Sequence, residues 1–274
     1  MSNLISPASL RDALPNVTVI DVRWRLGAPP GRNDFEAGRV PGAAYLDMET
    51  ELCGPPGVGG RHPLPDPADL QRALRNAGVT ANRPVVIYDY GDGLASARAW
   101  WTLRWAGHTD VRVLDGGYPI WQAAGFGTET GTPEIPPGDF VVEPGHMTVL
   151  DAAEAADWSR QGVLLDARQP PRYRGETEPI DAVAGHIPGA LNVPYADLIE
   201  ADGRLRSTDA LRDRFAASNV KDSTAVAAYC GSGITAAHTV LALSEAGIDD
   251  AGLYVGSWSH WIGTGRPIAT GGEA

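Results

Sequence analysis

The chain has 274 residues, 43% hydrophobic and 20% charged, enough for one large or two ordinary domains with packed cores. A formal net charge of -12 sets it against a phosphate backbone, so nucleic acid is excluded as an expected partner. No apolar run is long enough to span a bilayer, the amino end MSNLISPASLRDALP lacks the basic start and apolar core of an export signal, and two cysteines make no disulfide framework. The expected setting is therefore cytoplasmic, with no membrane partner.

In chain order, short strand-like runs at 17–22, 85–90 and 111–114 alternate with helical stretches at 67–77 and 95–105, and further runs follow at 163–166 and 225–229. This alternation predicts an α/β fold of parallel strands with helices on both faces. The chain also repeats itself. Val19-Ile20-Asp21-Val22-Arg23 returns as Leu164-Leu165-Asp166-Ala167-Arg168. Gly38-Arg39-Val40-Pro41-Gly42-Ala43 returns as Gly185-His186-Ile187-Pro188-Gly189-Ala190, and Gly93-Leu94-Ala95 as Gly233-Ile234-Thr235. The offset drifts from 145 to 147 to 140 residues, so loops changed length while the order of elements held. Two like domains are expected, residues 1–126 and 148–274, joined over 127–147 by a linker rich in glycine and proline.

The chemistry concentrates in residues 225–237, AVAAYCGSGITAA. An apolar run ends at Cys230, a short loop holds Gly231, Ser232 and Gly233 and closes at Thr235, and a helix follows with Ala237, Val240, Leu241 and Ser244 on one face. The unpaired N–H groups and positive end of that helix point back at the loop, which favours a thiolate and suits a nucleophile. The competing reading is a plain glycine turn with a small buried thiol. A cysteine phosphatase would need an arginine where Ala236 stands, and a cysteine protease has no local signature here. His238, beyond the loop, is read as a structural or surface histidine. The first half serves as an internal control. Asp21 with Arg23, Asp166 with Arg168 and both Pro-Gly-Ala turns occur twice and read as scaffold. Tyr90 stands at the place of Cys230 and Asp92 at that of Ser232, so the first domain lacks a nucleophile.

The loop CGSGIT resembles the active-site loop of the rhodanese superfamily, most closely that of the 3-mercaptopyruvate sulfurtransferases, which carry Cys-Gly-Ser-Gly-Val-Thr; Ile234 for Val is the one departure. The resemblance covers nearly the whole chain. It implies two tandem rhodanese-like domains, each a mainly parallel sheet with helices on both faces, the first non-catalytic and the second catalytic. It implies that Cys230 carries sulfur as a persulfide ringed by the loop Gly231, Ser232, Gly233, Ile234 and Thr235, with no metal or organic cofactor. The sulfur would come from a small anionic donor and go to a thiol or to cyanide; a thioredoxin-like protein is among the candidate acceptors. Arg172 matches the family arginine that grips the donor. The usual second arginine falls at Ile180, which leaves Arg174 as its substitute.

Members of the mercaptopyruvate group also place an acidic residue and a histidine where Glu49 and His62 stand, reaching Ser232 as a relay for protons, with Glu in place of the more usual Asp. Cys53 is expected to be a passive loop thiol, and Trp100, Trp101 and Trp105 to be core or interdomain packing. Thiosulfate enzymes of the superfamily carry Arg and Lys directly after the nucleophile, where this chain has neutral Gly231 and Ser232, so 3-mercaptopyruvate is the expected donor. The alternatives are a thiosulfate:cyanide sulfurtransferase and a non-catalytic rhodanese-like sulfur carrier or scaffold, against which the intact nucleophile loop argues.

Overall fold

The computed structural model describes residues 2–221 and 224–272. It divides into two compact units. Unit 1 comprises Met1–Gly54, Leu64–His146 and Glu200–Leu205; unit 2 comprises Pro55–Pro63, Met147–Ile199 and Arg206–Ala274. The duplicated sequence is thus two compact bodies, but a short stretch of each half belongs with the other unit. The Gly/Pro-rich linker expected over 127–147 is extended, and most of it packs on unit 1: Gly138 N–H donates to the Arg75 carbonyl at 2.7 Å and Phe140 N–H to that of Val79 at 3.2 Å.

Unit 1 contains a five-stranded sheet made of β1 (Leu4–Ile5), β2 (Thr18–Asp21), β3 (Ala44–Tyr45), β4 (Val85–Tyr88) and β5 (Val111–Leu114), in the order β1-β5-β4-β2-β3. Every strand pair among the described residues is parallel. Both central strands, TVID and VVIY, are buried along their whole length, as expected where helices cover both faces. The helices are α1 (Pro7–Ala13), α2 (Arg32–Ala37), α3 (Pro67–Asn76), α4 (Leu94–Trp105) and α5 (Gly117–Ala123). Asp66 caps α3 by accepting from Ala68 and Asp69 N–H, Pro67 fills its first position, and Leu70, Ala73 and Leu74 form its buried stripe. Trp100, Trp101 and Trp105 of α4 are all buried.

Unit 2 repeats the plan with four parallel strands, β6 (Val163–Asp166), β7 (Leu191–Asn192), β8 (Val226–Tyr229) and β9 (Gly252–Leu253), in the order β7-β6-β8-β9. Around them lie α6 (Ala152–Gln161), α7 (Pro170–Tyr173), α8 (Thr208–Ala216), α9 (Ile234–Glu245) and α10 (Ser257–Trp261). A full capping box between Asp151 and Glu154 starts α6. β5 and β6 match their expected apolar runs, β8 starts one residue later than its run, and β2 and β4 are shorter by one residue at each end and by two residues at the carboxyl end respectively. Helix α9 departs further from expectation. Instead of one apolar face it is buried almost all round, from Ile234 and Ala236 to Leu243, and takes His238 with it. Desolvation pushes that imidazole down to about 4, so His238 is an interior residue and neutral.

The repeated motifs prove to be one structural device used twice. Asp21 grips Arg23 through both side-chain and main-chain N–H groups, and the same guanidinium donates to the Gly38 carbonyl at 2.7 Å. Asp166 and Arg168 do the same toward Gly185, at 2.6 Å. Tyr88 and Tyr229, at the ends of the paired strands, each accept through the hydroxyl an N–H from the Pro-Gly-Ala turn earlier in the same half, Val40 at 3.2 Å and Ile187 at 3.1 Å. These buried pairs hold the strand ends in a fixed frame, which sets the position of whatever residue comes next.

Candidate active site

The residue that comes next in unit 2 is Cys230, directly after β8. The Tyr229 frame ends there, and Gly233, with φ of 85°, turns the chain into α9 at Ile234. A left-handed turn of this kind suits glycine, which has no Cβ to clash. The helix therefore begins one residue before Thr235, which lies in its first turn. No side chain caps the N-terminus of α9; the Gly233 N–H donates to the Cys230 sulfur at 3.1 Å. Cys230 is 2% exposed, so its sulfur faces protein dipoles rather than bulk water. A second clamp holds its main chain. The Ser257 hydroxyl accepts the Cys230 N–H at 3.1 Å and donates to the Tyr254 carbonyl, while the Cys230 carbonyl accepts from Trp258 N–H at 2.9 Å. Ser257 has φ of 52°, one of two non-glycine residues with positive φ among those described.

Unit 1 supplies the control, with one correction to the sequence register. Counting back from Gly93 puts Tyr90 at the place of Cys230, but the hydrogen bonds put Asp89 there. Asp89 follows β4 as Cys230 follows β8, and its carbonyl accepts from Tyr118 N–H at 2.9 Å as that of Cys230 does from Trp258. The loop of unit 1 is one residue longer, and an offset counted from the helix hides this. The carboxylate of Asp89 fills the cradle, accepting N–H groups of Gly91 at 2.8 Å, Gly93 at 3.3 Å and Ser96 at 3.0 Å. One copy of the loop thus already surrounds an anion with backbone donors. Burial and the charge of Asp89 push neighbouring Asp92 up to about 6, a sign that the cradle of unit 1 has no room for a second anion. At Ser257 the other copy has Gly117, where a Cβ would come within 2.7 Å of the Gly91 nitrogen. Only the unit with the cysteine places a side chain at this strained position.

Ser232 and His62 are brought together in unit 2, the histidine Nδ1 lying 2.8 Å from the serine hydroxyl oxygen, and both residues are buried. With the ring proton on Nε2, Nδ1 accepts from the hydroxyl; the opposite tautomer reverses the bond. Glu49 belongs to unit 1, where its carboxylate accepts from Trp24 Nε1 at 3.0 Å. Cys53, also in unit 1, is buried 3.9 Å from the Met48 sulfur, and burial pushes its thiol up. Neither cysteine forms a disulfide.

Arg172, in α7, donates from Nε and Nη2 to Glu178 at 2.9 and 2.7 Å and from Nη2 to Asp181 at 3.1 Å. Burial pushes the Glu178 carboxyl up, but its bonds from Arg172 and from the Asp181 and Ile180 N–H groups outweigh this and leave it below the usual range. Arg174 is elsewhere, forked onto exposed Glu176 at 2.7 and 2.9 Å. Sequence reasoning missed Arg61, which pairs with the other oxygen of Asp181. A Cβ built on Gly231 would lie 2.8 Å from Arg61 Nη2 and 3.5 Å from Arg172 Nη2, so both guanidinium groups border the nucleophile loop. Its signal was available, since Arg61 precedes His62 in the same unmatched loop. Among the described residues no three His, Cys, Asp or Glu side chains are grouped to hold a metal ion, and no helix is long and apolar enough to cross a membrane.

Comparison with known proteins adds the context. The family described as Rhodanese-like domain matches twice, over residues 6–124 and 150–264. A Pseudomonas aeruginosa protein named provisionally as 3-mercaptopyruvate sulfurtransferase is 45% identical, covering 94% of this chain and 93% of its own. SseB of Mycobacterium tuberculosis, named provisionally as a thiosulfate sulfurtransferase, is 43% identical over 93% of this chain and 91% of its own. Among solved structures, the crystal structure of SseA from Escherichia coli, a protein of the 3-mercaptopyruvate group, aligns with a TM-score of 0.84 at 30% identity, covering 94% of this chain and all of SseA.

Proposed function

Because this chain belongs to the rhodanese family, with two rhodanese-like domains, we propose that it is a sulfurtransferase that takes sulfur from 3-mercaptopyruvate onto Cys230 and passes it to a thiol or to cyanide. The observation that carries the reading is the Cys230 sulfur at the N-terminus of α9, bonded by the Gly233 N–H. The same cradle in unit 1 holds the Asp89 carboxylate, which supports its use for a thiolate and for the terminal sulfur of a persulfide.

In the first half-reaction the Cys230 thiolate attacks the donor sulfur. An S–S bond forms, the C–S bond breaks, and its electron pair passes to carbon as the enolate of pyruvate. The donor's thiol proton leaves through the Ser232 hydroxyl to His62 and returns to the enolate carbon, so a persulfide anion and pyruvate result. The 2.8 Å separation of Ser232 and His62 supports this path. In the second half-reaction an acceptor thiolate attacks the outer sulfur, and Cys230 leaves as the thiolate with which it began. Arg172 holds the donor carboxylate. The neutral Gly231 and Ser232 favour a monoanion over thiosulfate.

Steady-state rates with both donors, against cyanide and against a thiol in one buffer, test the choice. A higher kcat/KM for mercaptopyruvate is expected. A tenfold preference for thiosulfate, about 1.4 kcal/mol in the transition state, would reverse it and ally the chain in donor choice with the name given to its Mycobacterium relative.

A further inference from the structure

We propose that Ser259 is a positioning residue for the proton path, holding His62 against Ser232 through one hydrogen bond to each of the two loops that carry them. The inference rests on the proposed passage of a proton from Ser232 to His62 and deepens it by naming the group that sets their separation.

Three observations carry it. The first is where the bonds of Ser259 fall. Its main-chain N–H donates to the Gly231 carbonyl at 2.9 Å, and its hydroxyl oxygen accepts the Arg61 N–H at 3.1 Å. Gly231 directly precedes Ser232 and Arg61 directly precedes His62, so one residue ties down the main chain one step away from each member of the pair. The 2.8 Å between His62 Nδ1 and the Ser232 hydroxyl oxygen is therefore held from both sides.

The second is that the bridge is rigid. The same hydroxyl donates to the Gly256 carbonyl at 3.1 Å, which fixes its rotation and leaves its oxygen to accept from Arg61. Gly57 and Gly60 exchange main-chain hydrogen bonds at 3.0 Å and close the loop before Arg61. Gly60 has φ of 103°, and a Cβ there would lie 2.8 Å from the Gly256 oxygen and 2.9 Å from the Ser259 hydroxyl oxygen. Only glycine lets the loop seat this closely.

The third is that the unit without a nucleophile does without the bridge. Tyr118 N–H reaches the Asp89 carbonyl as Trp258 N–H reaches that of Cys230, and Trp121 Nε1 donates to the Gly127 carbonyl as Trp261 Nε1 does to that of Pro267. Between these matched residues Pro119 stands at the place of Ser259, and a proline has neither a main-chain N–H nor a hydroxyl. Helix α5 forms all the same, so the fold demands neither bond. Both occur in the unit that holds Cys230, Ser232 and His62.

The test is a double-mutant cycle in steady-state sulfur transfer from mercaptopyruvate, read together with the nitrogen NMR signals of the His62 ring. Ser259→Ala removes the hydroxyl and keeps the N–H. Its kcat is expected to fall about ten- to hundredfold with KM within about twofold, because a displaced His62 takes the proton less readily. Alkylation of Cys230 by iodoacetamide, which needs the thiolate and no relay, should keep its wild-type rate. In a His62→Ala background the same substitution should cost nothing further. The His62 Nδ1 resonance of Ser259→Ala should shift toward that of a free imidazole, and Ser259→Thr, which keeps the hydroxyl, should retain most of the wild-type rate. An unchanged kcat in Ser259→Ala, where His62→Ala lowers it, would overturn the assignment, as would an equal loss with and without His62. If His62→Ala leaves kcat unaltered, the relay reading falls, and the His62 resonance decides the placement by itself: a shift in Ser259→Ala upholds it and an unmoved signal overturns it.

Discussion

At Cys230 the difficulty is electrostatic: a residue 2% exposed must carry negative charge before and after it reacts. The Gly233 N–H reaches its sulfur at 3.1 Å, and the buried Ser232 and His62 pair, 2.8 Å apart, is the proposed path for the proton. His62→Ala and Ser232→Ala are each expected to lower kcat by ~10²- to 10⁴-fold. Because the two act as one path, the double variant should be little worse than either single one. Additive losses in steady-state assays would show that they act separately. The Cys230 loop with Ser232 was legible as a candidate because it stands out against a duplicate that lacks it, and Arg172 stood out as a charge that the duplicate does not demand; His62 was legible only through the family resemblance, since a lone histidine in a Pro-rich loop reads as exposed. Arg61 was passed over, although it stands beside His62, since an arginine in a Gly- and Pro-rich loop reads as solvated until folding sets it on Asp181.

Among the elements, the turn that opens α10 holds the main chain of Cys230. Ser257 accepts the Cys230 N–H from a left-handed backbone. Ser257→Ala keeps the backbone strain and orphans a buried donor, an expected loss of about 1–3 kcal/mol. Ser257→Gly orphans the donor but relieves about 1–2 kcal/mol of strain, so it should be the more stable variant. Urea unfolding of both decides this, and the reverse order would mean that the strain is not real. The longer strands β2, β4, β5, β6 and β8 were readable from their apolar runs, whereas the two-residue strands β1, β3, β7 and β9 were too short to leave a pattern. The register across the loops was not readable, because the extra residue between Tyr88 and Gly93 is invisible to an offset counted from the helix. The strand register, which pairs Asp21 with Tyr88 and Asp166 with Tyr229, and the hydrogen bonds of Asp89 reveal it. The all-round burial of α9 was likewise hidden by its small alanine and threonine side chains, which satisfy any face.

For the molecule as a whole, a buried histidine and a half-buried carboxyl give the pH dependence of stability opposite slopes. His238 has its folded value pushed from 6.5 to about 4, so its neutral form contributes stability fully above pH 6.5 and loses it as pH falls toward 4, by up to about 3 kcal/mol. Asp92 is pushed from 3.8 up to about 6, so its contribution is greatest at low pH and is lost as pH rises through that range. Between pH 4 and 6.5, His238→Asn should make the rise of unfolding free energy with pH shallower, and Asp92→Asn should make it steeper; denaturant midpoints across that range check both signs. The duplication announced two units from sequence alone. It could not announce that 55–63, with Arg61 and His62, belong with unit 2, since the grouping of loops depends on contacts that no repeat encodes. The central claim, that Cys230 is the atom through which sulfur passes, is tested most directly by intact-protein mass spectrometry after exposure to mercaptopyruvate. The wild-type chain is expected to gain the mass of one sulfur and to lose it on addition of a thiol, and Cys230→Ser to gain nothing; a sulfur retained by Cys230→Ser would contradict the account and point to Cys53.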